Sequence, residues 1–117
     1  MTEIFAQLLR ERGLDEHFLY PKYEELFDPY KLKGMKEAVA RIREARENAE
    51  KIVVYGDYDA DGVTSSTLLR DALKYYGCEK VDIILPNRFT DGYGLNLPAV
   101  DNITRKGAKL VITVDCG

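Results

Sequence analysis

Apolar residues recur along this chain in two different periods, and the change of period predicts where helices give way to strands. Ile4, Phe5, Leu8 and Leu9 stand at helical spacing within residues 2–12, with Thr2 placed to cap the helix and Gly13 to stop it. Residues 14–30 lose that spacing. Five rings, Phe18, Tyr20, Tyr23, Phe27 and Tyr30, alternate there with acids and with Pro21 and Pro29, which predicts an irregular loop stapled to the core by its rings, with stacking on the bases of single-stranded nucleic acid as their alternative use. Helical spacing returns over residues 34–50. Met35, Ala38, Val39 and Ile42 make the apolar stripe, while Arg41, Arg43, Glu44, Arg46 and Glu47 make a charged face expected to be solvated.

The next segment is of another kind. Ile52, Val53, Val54 and Tyr55 form a short apolar run that predicts a buried strand, broken by Gly56. Asp57, Asp59 and Asp61 follow at every second position; in extended backbone such residues face one side, so the three acids converge. Gly62 permits a sharp turn, and residues 63–76 resume helical spacing through Val63, Leu69, Ala72, Leu73 and Tyr76, with Gly77 as the stop. A second strand is predicted over residues 81–85, ended by Pro86, and a polar, glycine-rich loop over 87–94. Asn96 caps a helix running through Lys106 and closed by Gly107, and residues 109–114 make a third, nearly all-apolar strand that ends at Asp115.

Strands alternating with helices of ten or so residues predict an α/β fold: a parallel β-sheet with flanking helices and right-handed crossovers, preceded by N-terminal helices. The expected division is an N-terminal helical segment over residues 1–50, its last helix lying across the sheet, and the sheet-forming part over residues 51–117. Functional groups in such sheets collect at the carboxyl ends of the strands. Asp57, Asp59 and Asp61 leave the first strand at that end, Arg88 the second and Asp115 the third.

Composition narrows the class. With 117 residues, 45% hydrophobic and 32% charged, the chain is sized for one modest core of an ordinary soluble domain. No apolar run approaches the roughly 20 residues of a membrane span, and the N-terminus lacks the features of a signal peptide, so a cytoplasmic protein without membrane contact is expected. Cys78 and Cys116 have neither CxxC spacing nor histidines beside them, which argues against zinc or a disulfide framework; a small buried filler is the expected role of Cys116. His17, the one histidine, reads as a surface residue. The net charge of −3 gives no basic footprint for nucleic acid, so a gripping surface is expected elsewhere, or the acidity is local to a metal site.

Like charges crowded at a strand end repel, and a hard divalent cation is what neutralises them. Asp57-x-Asp59-x-Asp61-Gly62 matches the first half of an EF-hand loop, but Leu68 stands where that loop needs a bidentate Glu, and a strand rather than a helix leads in. Asp59-Ala60-Asp61-Gly62-Val63 approaches the haloacid-dehalogenase signature but has Val63 in place of threonine and leaves Asp57 idle. Gly56-Asp57-Tyr58-Asp59-Ala60-Asp61-Gly62 resembles the first motif of the DHH phosphoesterase family, in its RecJ-like branch of single-stranded-DNA exonucleases. The run from Leu85 to Asn96, LPNRFTDGYGLN, and the run from Leu110 to Gly117, LVITVDCG, resemble two further segments of that branch in matching order and spacing.

The resemblance implies a Rossmann-like domain and two-metal hydrolysis of phosphodiesters, for which oxygen ligands suit Mn²⁺ or Mg²⁺. It implies Asp59, Asp61 and Asp115 as direct ligands, with Asp115 bridging, and Asp57 in the metal site as a ligand or as support for one. It implies that Arg88 contacts the substrate phosphate together with Asn87, and that Gly92 and Gly94 let the backbone approach it. Thr64, Ser65, Ser66 and Thr67 crowd the start of a helix; Ser65 is placed there as a phosphate contact, with helix capping as the alternative use of the hydroxyls.

The chain ends before the Asp-His-His motif, so the expectation is the N-terminal piece of a 5′–3′ exonuclease of DNA repair and recombination, itself inactive or nearly so. Single-stranded DNA and replication or repair proteins are the partners the resemblance implies. The alternatives are a non-catalytic replication scaffold of this fold and a phosphodiesterase for oligonucleotides or cyclic dinucleotides.

Overall fold

The computed structural model describes residues 2–116, and the chain divides into two compact units, residues 1–35 and 36–117. In the first unit, helix α1 (Glu3–Glu11) follows Thr2, whose side chain makes no capping bond; the helix starts there without the expected cap. Helix α2 (Glu16–Leu19) and two 3-10 turns, Tyr23–Glu25 and Pro29–Lys31, put local order where irregular chain is expected. The rings of this stretch are not stapled down: Phe18, Tyr20, Tyr23, Phe27 and Tyr30 are all more than half exposed. Their interleaving with acids and prolines favours short turns, and a turn of three or four residues has no continuous apolar face to bury. His17 is exposed, 3.5 Å from Glu25, as a surface histidine should be.

The second unit is a three-stranded parallel sheet of order β2-β1-β3, built from β1 (Ile52–Tyr55), β2 (Val81–Ile84) and β3 (Leu110–Thr113). Helices α3 (Met35–Glu47), α4 (Ala60–Tyr75) and α5 (Leu97–Arg105) complete it. Ile52 pairs with Val81 on one side and Leu110 on the other, so β1 is central and all four of its residues are buried. Its period of two splits the core. Ile52 and Val54 pack with Ala45, Leu73, Cys78 and Val81 on the α3 and α4 face, Val53 and Tyr55 with Ile103 and Cys116 on the α5 face. A strand covered on both faces needs an unbroken apolar run, and each such side chain contributes about 1.5–3 kcal/mol by burial.

Two helices differ from their expected faces. The start of α4 moves forward to Ala60 because Asp59 takes the N-cap, and its buried line is Gly62, Ser66 and Leu73, whereas Val63 and Tyr76 are exposed. Close packing against the β1 exit selects the smallest residues there rather than the most apolar. On α3 the charged face is not wholly solvated: Arg41 bonds Glu50 at 2.7 Å and the Lys109 carbonyl at 3.1 Å, and the Arg46 guanidinium lies 4.4 Å from the centre of the Tyr76 ring. Their long apolar stems let these arginines cover the core edge. Asn96 caps α5 by accepting from the Ala99 amide, in line with expectation.

Candidate metal centre

With strand order 2-1-3, the chain leaves β1 toward β2 and later crosses back to β3, which makes the gap between the carboxyl ends of β1 and β3 the topological switch point. Several contacts build the acidic group in that gap. The Gly56 amide donates to Ile84 O at 3.1 Å, which continues the ladder one residue beyond β1. A Cβ on Gly56 would run into Ser66 Oγ, and one on Gly62 into the backbone of Asp57, so the start of α4 rests directly on the acidic loop. From β3, the Val114 amide donates to Tyr55 O at 3.0 Å and Cys116 Sγ reaches the same oxygen at 3.5 Å. The exits of β1 and β3 are thereby tied together.

Asp57 is 5% exposed and its Oδ1 accepts from the Tyr58 amide at 2.7 Å. Asp59 Oδ1 accepts from the Gly62 amide at 2.9 Å, so one carboxylate both caps α4 and faces the gap. Asp115 sits at φ 56, a left-handed conformation that a short polar side chain tolerates. One carboxylate oxygen from each of Asp57, Asp59 and Asp115 lies within 4.8 Å of the others. Loss of solvent first, then the charges of Asp59 and Asp61, hold the Asp115 carboxyl above the usual range, with a hydrogen bond to Asp59 and the charge of Asp57 adding to it. Hard oxygen donors in mutual repulsion are the donor set that Mg²⁺ or Mn²⁺ takes.

Asp61 stands apart from this trio. The acids do not share one side of an extended strand, because Asp59 starts the helix and Asp61 falls in its first turn. Ser65 Oγ donates to Gly62 O at 3.3 Å, Thr64 to Ala60 O at 2.8 Å and Thr67 to Val63 O at 2.8 Å, so the hydroxyls bond back along the helix and none of the three caps it.

The loop of residues 87–96 lies at the exit of β2. Arg88 stacks on the Tyr58 ring, 4.9 Å from its centre, which brings its guanidinium to the acidic loop. Asn87 is committed to the turn: its Oδ1 accepts from the Phe89 amide, and its own amide donates to Asp91 Oδ2. Gly92 and Gly94 have φ of 75 and 82, and the space above each is open. The Tyr55 hydroxyl donates to Gly94 O at 3.1 Å. Burial, then Cys116, Asp91 and Asp57, push that phenol above its ordinary range. The parts played by Tyr55 and Tyr58 escape sequence reasoning, because Tyr55 looks like one more apolar strand residue and Tyr58 like a spacer between acids. Gly117, the end of the third matching run, lies outside the described residues.

Residues 51–117 match the model of the "DHH family, N-terminal domain". The chain belongs to the DHH family. Among its DHH relatives, the single-stranded-DNA-specific exonuclease RecJ of Bacillus subtilis is 44% identical over all of this chain, which covers 15% of that protein. A crystal structure of exonuclease RecJ bound to manganese matches with a TM-score of 0.67 at 40% identity, over 74% of this chain and 22% of that one. RecJ from Thermus thermophilus in complex with Mn²⁺ matches with a TM-score of 0.66 at 30% identity, over 93% of this chain and 14% of that one. The chain thus spans less than a quarter of each.

Proposed function

We propose that this DHH chain is the N-terminal part of a metal-dependent exonuclease that hydrolyses single-stranded DNA from its 5′ end. The observation that carries this reading is the convergence of Asp57, Asp59 and Asp115, from two neighbouring strands, at the switch point of the sheet. These three carboxylates are the residues that would hold Mn²⁺, or Mg²⁺ in its place. Asp61, whose charge reaches Asp115, completes the acidic set. When bound, such ions supply Lewis-acid polarisation of the phosphodiester and an activated water.

The chain's own residues do the rest. Asp59 and Asp57 are fixed by backbone amides of their own loop and helix, so their carboxylates are oriented before any ligand arrives. Arg88 contacts the substrate phosphate with a guanidinium oriented by Tyr58, and Asn87, Gly92 and Gly94 shape the loop that presents it. Ser65, half-buried on the second turn of α4, is a further phosphate contact in this reading. DNA repair and recombination in the cytoplasm is the setting we propose, with replication or repair proteins as partners; among the described residues, no helix is long and apolar enough to cross a membrane.

Calorimetric titration with Mn²⁺ tests the site. Saturable binding that is strongly weakened in Asp59→Asn and Asp115→Asn is the expected result, and a wild-type chain indifferent to Mn²⁺ would overturn the reading. Hydrolysis by the full-length protein of a long single strand, set against a dinucleotide, tests the substrate class. Preference for the dinucleotide would point to the small-substrate phosphodiesterases instead.

A further inference from the structure

Loop 87–96 is poorly anchored by its own side chains. Phe89 is 92% exposed and Tyr93 64%, and a cavity of about 180 Å³ lies beneath the loop between Tyr55, Leu85, Asp91, Asn96 and Asn102. Most of its hydrogen bonds are internal: Asp91 accepts from the Asn87 amide and the Thr90 hydroxyl, and Asn96 Nδ2 donates to Asp91 O. Among the described residues, one hydrogen bond reaches residues 87–95 from outside this loop and its helix cap, that of the Tyr55 hydroxyl to Gly94 O. Tyr58 supplies the other hold, its ring lying against the Arg88 guanidinium.

We propose that Tyr55 and Tyr58 are positioning residues that fix the Arg88 loop relative to the acidic trio, an inference that rests on the phosphate contact assigned to Arg88. Tyr55 and Tyr58 flank Asp57 in sequence, so the segment that carries two of the acids also grips the loop at its arm and at its heel. The spacing between guanidinium and carboxylates is then set by one rigid stretch at the end of β1, and it does not depend on packing beneath the loop. Tyr55 is 1% exposed, so its ring is held by the core and its hydroxyl alone is given to the loop.

Backbone ¹⁵N relaxation of the whole chain, with inorganic phosphate titrated against the Arg88 Nε resonance in the presence of Mg²⁺, tests this. In Tyr55→Phe, the heteronuclear NOE of Gly92, Tyr93, Gly94 and Leu95 should fall and phosphate affinity should drop about three- to tenfold, the cost of ordering a loosened loop. Mg²⁺ affinity should stay within about twofold. In Tyr58→Leu, with the β1 core intact, the Arg88 side chain should gain mobility and phosphate affinity should fall about threefold. Unchanged loop dynamics and phosphate affinity in both variants would overturn the proposal. A wild-type chain whose Arg88 resonance ignores phosphate would overturn the phosphate contact instead, and the NOE values would still decide the tether.

Discussion

Residues 56–62 and residues 87–96 leave the same edge of one sheet but are held by different forces. The first segment is pressed between β1 and α4, where Gly56 and Gly62 leave no room for a Cβ; the second arches over a cavity, where a Cβ added to Gly92 or Gly94 would meet nothing within 4 Å. One acid at each place is shifted, and the two shifts are opposite. Asp115, facing the first segment, is pushed up by lost solvent and by Asp59 and Asp61, whereas Asp91, in the second, is held down first by the Asn87 amide and then by the Thr90 hydroxyl. One region concentrates like charge at a fixed place, at a cost that a cation would relieve. The other uses its acid as a local brace, and so can present an arginine without being buried.

Steric substitution breaks this comparison most sharply. Gly62→Ala should cost about 3 kcal/mol in urea denaturation, because its methyl meets the Asp57 backbone. Gly92→Ala, strained only by its φ of 75, should cost about 1 kcal/mol. Equal costs would mean that the two segments are packed alike. Next in size, Asp59→Asn and Asp115→Asn should each weaken Mn²⁺ binding about a hundredfold by calorimetry, with Asp91→Asn leaving it unchanged. Arg88→Ala should lower affinity for a 5′-phosphorylated single strand on the order of tenfold, with Mn²⁺ affinity preserved.

The smallest effect is on pH. Asp115 has a folded value above its unfolded one, so its contribution favours the fold below the unfolded value and is lost as pH rises through the folded value. Asp91 has the reverse sign: its contribution is present above the unfolded value and is lost as pH falls through the folded one. Melting curves between about pH 3 and 7 should therefore show Asp115→Asn gaining relative to wild type toward neutral pH, where Asp91→Asn loses. The same slope in both variants would remove the contrast between the regions.

Strands and helix ends were readable because their causes are local. The run Ile52–Tyr55, the Asn96 cap and the positive φ of Gly77 and Gly107 follow from patterning and backbone freedom within a few residues. Asp57, Asp59, Asp61 and Asp115 could be placed at the carboxyl edge of the sheet for the same reason, since each follows an apolar strand, but the pattern does not separate Asp61 from the other three. The misjudged face of α4 had a non-local cause: Ser66 is buried because Gly56 lies against it, and no periodicity of apolar residues reports a close approach of backbone. The rings of residues 18–30 show the converse: their apolar character predicts burial, but short turns give them no face to bury against.

What the sequence determined alone was the order of the elements, the parallel sheet they make and the acids at its carboxyl edge, because hydrophobic period and chain direction leave little other choice. Which acids meet was decided only in three dimensions. Asp59 had to become a cap, sending Asp61 into a helix, and the Tyr55 carbonyl had to receive both Val114 and Cys116 before Asp115 could face Asp57. Those are contacts between residues as far as 61 positions apart, and a linear pattern carries no record of them.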